Sequence, residues 1–203
     1  MSGRSYFLVK RLIDIVGSCV GLIFFALLYA ILAIPIKLDS PGPVIVGLAR
    51  VSRGRVITLY KFRSMIVGAG QQKSALSHLN ERTDGPFFKI KNDPRVTIIG
   101  RIIRSTRIDE VPQFINVLLG ELSLVGPRPH EPGEVAAYPG EYRFLPQQLA
   151  GITGLSQVSG ASGLPFKKEL ELDAYYLKNQ SLTLDLKIIA RTIAIFLFDP
   201  TAV

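Results

Sequence analysis

The chain has 203 residues, enough for one domain with a substantial core, and it is both apolar (48% hydrophobic residues, mean hydropathy +0.30) and basic (net charge +8). That pairing favours an anionic membrane surface over nucleic acid, since the chain also has no tryptophan and no basic runs interleaved with aromatics. One cysteine (Cys19) and two histidines (His78, His130) exclude a disulfide framework and a cysteine-rich zinc site and argue against a histidine-centred triad, which leaves chemistry to carboxylates and cations.

Residues 15–36 carry no charge. As a helix they extend roughly 33 Å at ~1.5 Å per residue, about one hydrocarbon thickness. A cleavable signal peptide fits poorly, because the run is too long, Asp14 stands at its mouth and no small-x-small site closes it. Lys10 and Arg11 precede the run, and Lys37, Arg50, Arg53 and Arg55 follow it. The tendency of basic flanks to stay cytoplasmic favours a helix that enters the bilayer and returns, while a straight span with the N-terminus outside stays open. Asp39-Ser40-Pro41-Gly42-Pro43 ends the segment. The expected division is a membrane-inserted part over 1–38 and a surface unit over 39–203, forming one structural body.

Residues 44–46 and 56–65 read as two strands of a small hairpin turning at Arg53-Gly54-Arg55, with Lys61 and Arg63 on one face. Alternation alone favours a solvated face for both. Residues 66–86 read as a loop or short helix. Residues 96–107 read as an amphipathic helix, with Ile98, Ile99, Ile102 and Ile103 beside Arg101, Arg104 and Arg107, suited to a membrane interface or to an ordinary surface.

A helix is predicted over 111–119, stopped by Gly120, with Pro112 in its first turn. Asp109 and Glu110 then lie at its N-terminus, where the helix dipole favours anions. Thr106 three residues before Asp109 has capping-box spacing, and spacing alone favours capping over catalysis. In Val125-Gly126-Pro127-Arg128-Pro129 two prolines restrict the backbone around one arginine, which suits a cation aimed at a phosphate as well as a rigid, solvated loop. Gly151-Ile152-Thr153-Gly154 and Gln157-Val158-Ser159-Gly160 are glycine-punctuated turns. Helices are predicted over Phe166–Lys178 and Leu182–Phe198, the second with Leu182, Leu186, Ile189, Ile193 and Phe196 on one side. The fold class is α+β and mainly helical, with a membrane-embedded, re-entrant N-terminal helix, a small β-hairpin and several amphipathic interfacial helices.

These segments occur in a shared order. Lys10-Arg11 with Asp14, Asp39-Ser40-Pro41-Gly42-Pro43, Tyr60-Lys61-Phe62-Arg63-Ser64-Met65, Asn92-Asp93-Pro94-Arg95-Val96-Thr97, Ile108-Asp109-Glu110-Val111-Pro112-Gln113, Ser123-Leu124-Val125-Gly126-Pro127-Arg128-Pro129, Gly151-Ile152-Thr153-Gly154, Leu172-Asp173-Ala174-Tyr175-Tyr176 and Leu184-Asp185-Leu186-Lys187 fall in register. With them the chain resembles the bacterial sugar transferases, and within these the small monotopic phosphoglycosyl transferases, from about residue 8 to about 195.

The resemblance implies transfer of a sugar 1-phosphate from a nucleotide diphosphate sugar, typically a UDP-sugar, to polyprenyl phosphate at the cytoplasmic face of the bacterial inner membrane. It implies Mg²⁺ and an Asp-Glu dyad, here Asp109 and Glu110, and so reverses the capping reading. Asp109 is the expected nucleophile, and both carboxylates are expected at the metal. Arg104 and Arg128 match positions associated with the phosphates, and Lys61, Arg63 and Arg101 are further substrate-binding candidates. The expected partners are the two substrates and the bilayer, with no nucleic acid, and apolar helix faces leave room for a homodimer. A basic membrane-surface scaffold without catalysis is the competing expectation. The chain departs from the family pattern at Ala26-Leu27, where a Ser-Pro pair commonly breaks the membrane helix, and at Ala150, Ser156 and Ala161 near the expected substrate loops.

Overall fold

The computed structural model describes residues 3–160 and 163–198, so Ala161 lies outside the described residues. The chain opens with helix α1, Gly3–Asp39. Its 37 residues extend about 55 Å at ~1.5 Å per residue. Among the described residues α1 is the one helix long and apolar enough to cross a membrane. It is unbroken through Ala26-Leu27 and even through Pro35, so the bend expected of a re-entrant helix does not appear as a break in the helix.

The end of α1 is held by charges from elsewhere. Helix C-termini leave carbonyls without intrahelical partners. The Arg63 guanidinium answers them, donating to the carbonyls of Ile36 at 3.1 Å, Ser40 at 2.7 Å and Pro41. Asp39 in turn accepts the Ile99 N–H at 2.8 Å, at the start of helix α2, Ile98–Ser105. Thr97 caps the same helix by accepting from Gly100 N–H at 3.0 Å.

Strands β1, Ile45–Ser52, and β2, Arg55–Phe62, pair antiparallel from Ile45 opposite Phe62 to Ser52 opposite Arg55. Arg53 and Gly54 turn the hairpin with φ of 51° and 69°, as a two-residue loop with left-handed residues requires. The first strand is therefore longer than predicted, and the second stops before Arg63. Pairing across the hairpin extended β1, and beyond β2 the Arg63 N–H still donates to the Val44 carbonyl at 2.8 Å while its guanidinium turns to the end of α1.

Beyond α2, Arg107 adopts φ 57° and the chain enters a 3₁₀ turn, Ile108–Gln113, followed by helix α3, Phe114–Leu119. The helix predicted over 111–119 is thus a 3₁₀ turn joined to a short α-helix. Gly120 terminates it with φ 78°. The capping box expected at Thr106 does not form. Arg107 is the N-cap residue of the turn and makes no side-chain capping bond to it, and the Thr106 hydroxyl bonds back to the Ile102 and Ile103 carbonyls.

Strand β3, Ser123–Val125, then pairs in parallel with β4, Gly151–Thr153, a contact too short to be read from sequence. A Cβ on Gly126 would lie 2.7 Å from the Gly151 nitrogen, so the glycine is needed where these two backbones meet. Helices α4, Pro132–Ala136, α5, Leu155–Val158, α6, Phe166–Lys178, and α7, Leu182–Phe198, complete the fold. The last two have their predicted limits. The stripe expected on α7 divides: Ile189 packs inward with Ile188, while Leu186, Ile193 and Phe196 are exposed.

One side of α1 is lined by the rest of the protein from end to end. Asp185 accepts hydrogen bonds from Tyr6 at 2.9 Å, Lys10 at 2.9 Å and Tyr176 at 2.7 Å, all buried. Arg11 donates to the Val117 and Leu118 carbonyls at the end of α3, both at 2.8 Å. Asp14 accepts from Ser123 Oγ at 3.0 Å and Leu124 N–H at 2.8 Å. Farther along, Gly17 and Gly21 admit the side chains of Leu124 and Phe114, and Phe25 meets Phe62 with ring centroids 5.7 Å apart. The opposite side exposes Leu8, Leu12, Ile23, Leu27, Ile34 and Leu38.

Breaking a buried ion pair leaves its partner charged and unanswered, at about 3–5 kcal/mol. Asp185→Ala strands Lys10, so its thermal unfolding midpoint in lipid nanodiscs should fall well below that of the parent. An unchanged midpoint would show that the clasp contributes nothing to the fold.

Candidate active site

The dyad sits where β2, α2 and the 3₁₀ turn converge. Lys61, at the end of β2, places its Nζ 2.5 Å from Glu110 Oε1 and 3.6 Å from Asp109 Oδ2. Asp109 is 9% exposed, whereas the Glu110 side chain is 43% exposed. The 3₁₀ turn makes this division, because consecutive residues on a tight turn point in different directions.

The two carboxyls therefore titrate differently. Burial pushes the Asp109 carboxyl above its ordinary value, opposed by the charges of Lys61 and Arg104 and reinforced by Glu110. For Glu110, desolvation also pushes upward, but the Lys61 ammonium, with Arg128 and Arg107 beyond it, outweighs this and holds the carboxyl below its ordinary value. The arrangement is two adjacent carboxylates inside a ring of cations, with Asp109 the less solvated.

Of the residues predicted from sequence, Lys61, Asp109, Glu110, Arg104 and Arg128 are brought together. Arg101 is exposed on α2, one turn before Arg104. Arg63 is 3% exposed, and its guanidinium is committed to the carbonyls that end α1.

Two site residues were missed. Arg107 acts on Glu110. It was visible as the third member of an every-third-residue row, but the left-handed turn that carries it past the end of α2 was not. Asn116, fully buried, accepts the Tyr60 N–H at 3.1 Å and donates to the Thr58 carbonyl at 2.7 Å and to Glu121 Oε2 at 2.7 Å. It fixes β2, and so Lys61, against the helix that follows the dyad. No sequence signal marks it.

Among the described residues no group of three or more His, Cys, Asp or Glu side chains is placed to hold a metal alone. Mg²⁺, however, is commonly held by one or two carboxylates together with substrate phosphates and water. Asp109 and Glu110 fit that smaller requirement, since hard carboxylate oxygens stand side by side next to cations that would receive the phosphates.

The sequence pattern of the family described as "Bacterial sugar transferase" matches residues 5–199. A relative named "Galactosyl transferase CpsE", from Streptococcus agalactiae, is 42% identical over 200 residues, covering 98% of this chain and 44% of its own length. A Klebsiella pneumoniae relative named "UDP-glucose:undecaprenyl-phosphate glucose-1-phosphate transferase" is 39% identical over 197 residues, covering 91% of this chain and 39% of its own. The "Exopolysaccharide production protein PSS" of Rhizobium leguminosarum bv. phaseoli is 38% identical over 202 residues, covering 91% of this chain and 93% of its own. The chain thus spans less than half of the first two relatives and nearly all of the third.

Truncating a buried side chain that satisfies three partners leaves polar groups unpaired, at about 1–3 kcal/mol. Asn116→Ala should therefore lower the unfolding midpoint in nanodiscs and loosen β2, read as faster amide exchange at Tyr60. Unaltered exchange at Tyr60 would refute its bracing role.

Proposed function

This chain belongs to the bacterial sugar transferase family, and we propose that it transfers a sugar 1-phosphate from a UDP-sugar to undecaprenyl phosphate, the first membrane step in building a surface glycan. The single observation that carries the reading is the half-desolvated Asp109–Glu110 pair ringed by Lys61, Arg104, Arg107 and Arg128. A scaffold binding anionic lipid needs only the basic exterior; it has no use for two adjacent carboxylates among those cations.

In the proposed reaction an Asp109 oxygen attacks the sugar-bearing phosphorus. The bond from that phosphorus to the bridging oxygen breaks, UMP leaves with the bridging oxygen, and an aspartyl phosphosugar remains. A phosphate oxygen of the lipid then attacks the same phosphorus, displaces the Asp109 carboxylate and yields the polyprenyl diphosphate sugar. Low solvation makes the ionised Asp109 carboxylate a reactive anion, and the charges of Lys61 and Arg104 oppose the upward push of burial on its carboxyl. Glu110, held ionised, is placed to take a proton from the incoming phosphate or to ligate metal. Bound Mg²⁺ would neutralise phosphate charge as the transfer proceeds.

The membrane reading follows from α1. Its two ends are both clasped by the surface unit, Lys10 by Asp185 and Asp39 by the start of α2, and its outward side is apolar throughout. A straight crossing would drag α3, β2 and the dyad into the hydrocarbon, which buried charges oppose. We read the protein as monotopic, with both ends of α1 at the cytoplasmic face of the inner membrane. The exposed Ile98, Ile102, Leu186, Ile193 and Phe196 of α2 and α7 would rest in the interface.

Asp109→Asn should abolish UMP release from a panel of UDP-sugars with undecaprenyl phosphate and Mg²⁺, while still co-sedimenting with membranes. Chelation with EDTA should silence the parent enzyme, and added Mg²⁺ restore it. Full turnover by the Asn variant ends the nucleophile assignment, and a folded, metal-replete parent that is silent across the panel would favour the scaffold. In a Cys19→Ser background, Arg4→Cys and Gly70→Cys should label from the same side of intact vesicles; opposite sides would overturn the monotopic reading.

A further inference from the structure

Behind the active-site loop lies a second group of charges that the transfer reaction leaves unassigned. His130 is 4% exposed, Glu169 2% and Asp173 2%. His130 Nε2 is 2.7 Å from Glu169 Oε1, and its Nδ1 pairs closely with the Tyr138 hydroxyl. Around them the cluster is apolar and aromatic: Phe87 stacks 4.9 Å from the imidazole, and Phe166 and Leu170 close the core. Such a core could have been completed with hydrocarbon alone. Replacing a buried pair of polar groups by apolar groups of similar volume is often neutral or stabilising, so the presence of this one calls for a use other than stability.

The use is indicated by what the group touches. Asp173 Oδ2 accepts the backbone N–H of Arg128 at 3.0 Å, and the His130 carbonyl accepts the Val51 N–H at 2.9 Å. The Pro127-Arg128-Pro129-His130 segment is therefore tied at both ends, to α6 and to β1. The charge of Arg128 acts on Glu110 on one side and on Glu169 on the other. Burial pushes the Glu169 carboxyl upward, but its hydrogen bond with His130 and the charge of Arg128 outweigh this and keep it below its ordinary value. Arg128 is thus within electrostatic reach of a half-exposed carboxylate at the dyad and of a buried one, Glu169.

We propose that Glu169, with His130 and Asp173, forms a buried counter-charge that positions Arg128 toward the donor diphosphate. His130 orients Glu169, Glu169 attracts the guanidinium from beneath, and Asp173 fixes the backbone from which it projects. Because the two prolines restrict that backbone, the inner charge has only side-chain torsions left to settle. These residues are positioning groups and touch no substrate. The proposal rests on the transferase reading for what Arg128 meets, but not for how it is held.

Two measurements separate these dependencies. Phenylglyoxal labels arginine side chains that are free to reach it. In Glu169→Gln, Arg128 should be modified several-fold faster, while exposed Arg55 keeps its rate. Asp173→Asn should act in the same direction. The second measurement is the affinity for UDP with Mg²⁺, by calorimetry in detergent. Glu169→Gln should weaken UDP binding several-fold in the parent and have no further effect in Arg128→Ala, as expected if it acts only through that arginine.

An unchanged Arg128 rate in a folded Glu169→Gln protein overturns the positioning role. Equal losses of UDP affinity with and without Arg128 overturn it too. Failure of both near-isosteric variants to fold would mark the trio as part of the fold and count against it. A parent that does not bind UDP would tell against the transferase reading, while the phenylglyoxal rates still decide how Arg128 is held.

Discussion

A carboxylate taken most of the way out of water must be answered by positive charge, and much of this fold follows from how Asp109 is answered. For Asp109, Lys61 comes from the hairpin and Arg104 from α2; for the adjacent Glu110, Arg107 comes from the turn after α2 and Arg128 from the loop after β3. No single element could present this set. A helix carrying several converging cations would repel itself along one face, whereas a strand end, a helix end and two turns can aim at one point without crowding. The 3₁₀ turn is the other half of the arrangement, because it keeps Asp109 inside while leaving Glu110 half in solvent. Adjacent carboxyls of similar intrinsic acidity are thereby given different environments.

The N-terminal helix is a structural wall as much as an anchor. Its apolar face is what hydropathy detects, but its other face carries Lys10, Arg11 and Asp14, each spent on a partner from the surface unit. Arg11 supplies the carbonyls at the end of α3, and Asp14 supplies an N–H and a hydroxyl at the start of β3. The helix therefore completes hydrogen bonding that these short elements cannot complete alone. Short helices and two-residue ladders are marginal by themselves and persist when something longer is packed against them.

How much of this was legible varied with the range of the interaction. The limits of α6 and α7, the αL stop at Gly120 and the hairpin turn at Arg53-Gly54 are local, and the sequence displays them. The dyad could be located but not interpreted from spacing. Capping and catalysis share a pattern, and only the family resemblance separated them before the 3₁₀ geometry removed the cap. The surroundings of Arg63 were not legible because they are decided by carbonyls more than twenty residues away, those of Ile36 and Ser40. Asn116, the β3–β4 ladder and the His130–Glu169 pair depend on still longer separations, and nothing in their immediate neighbours announces them.

Three consecutive residues, the last two of β2 and the one after it, show why the apolar helix and the site behave as one body. Lys61 reaches the dyad, Phe62 packs on Phe25 and Ile36 of α1, and Arg63 closes the carbonyl end of that same helix. Phe62 is 1% exposed and Arg63 3%, so neither can shift without opening the contact between hairpin and helix. Any displacement of α1 would have to move the ammonium that sits between Asp109 and Glu110. That coupling fixes the position of the dyad relative to the apolar face of α1 by covalent geometry and dense packing. Loop flexibility has little part in it, since a strand of extended backbone carries the connection.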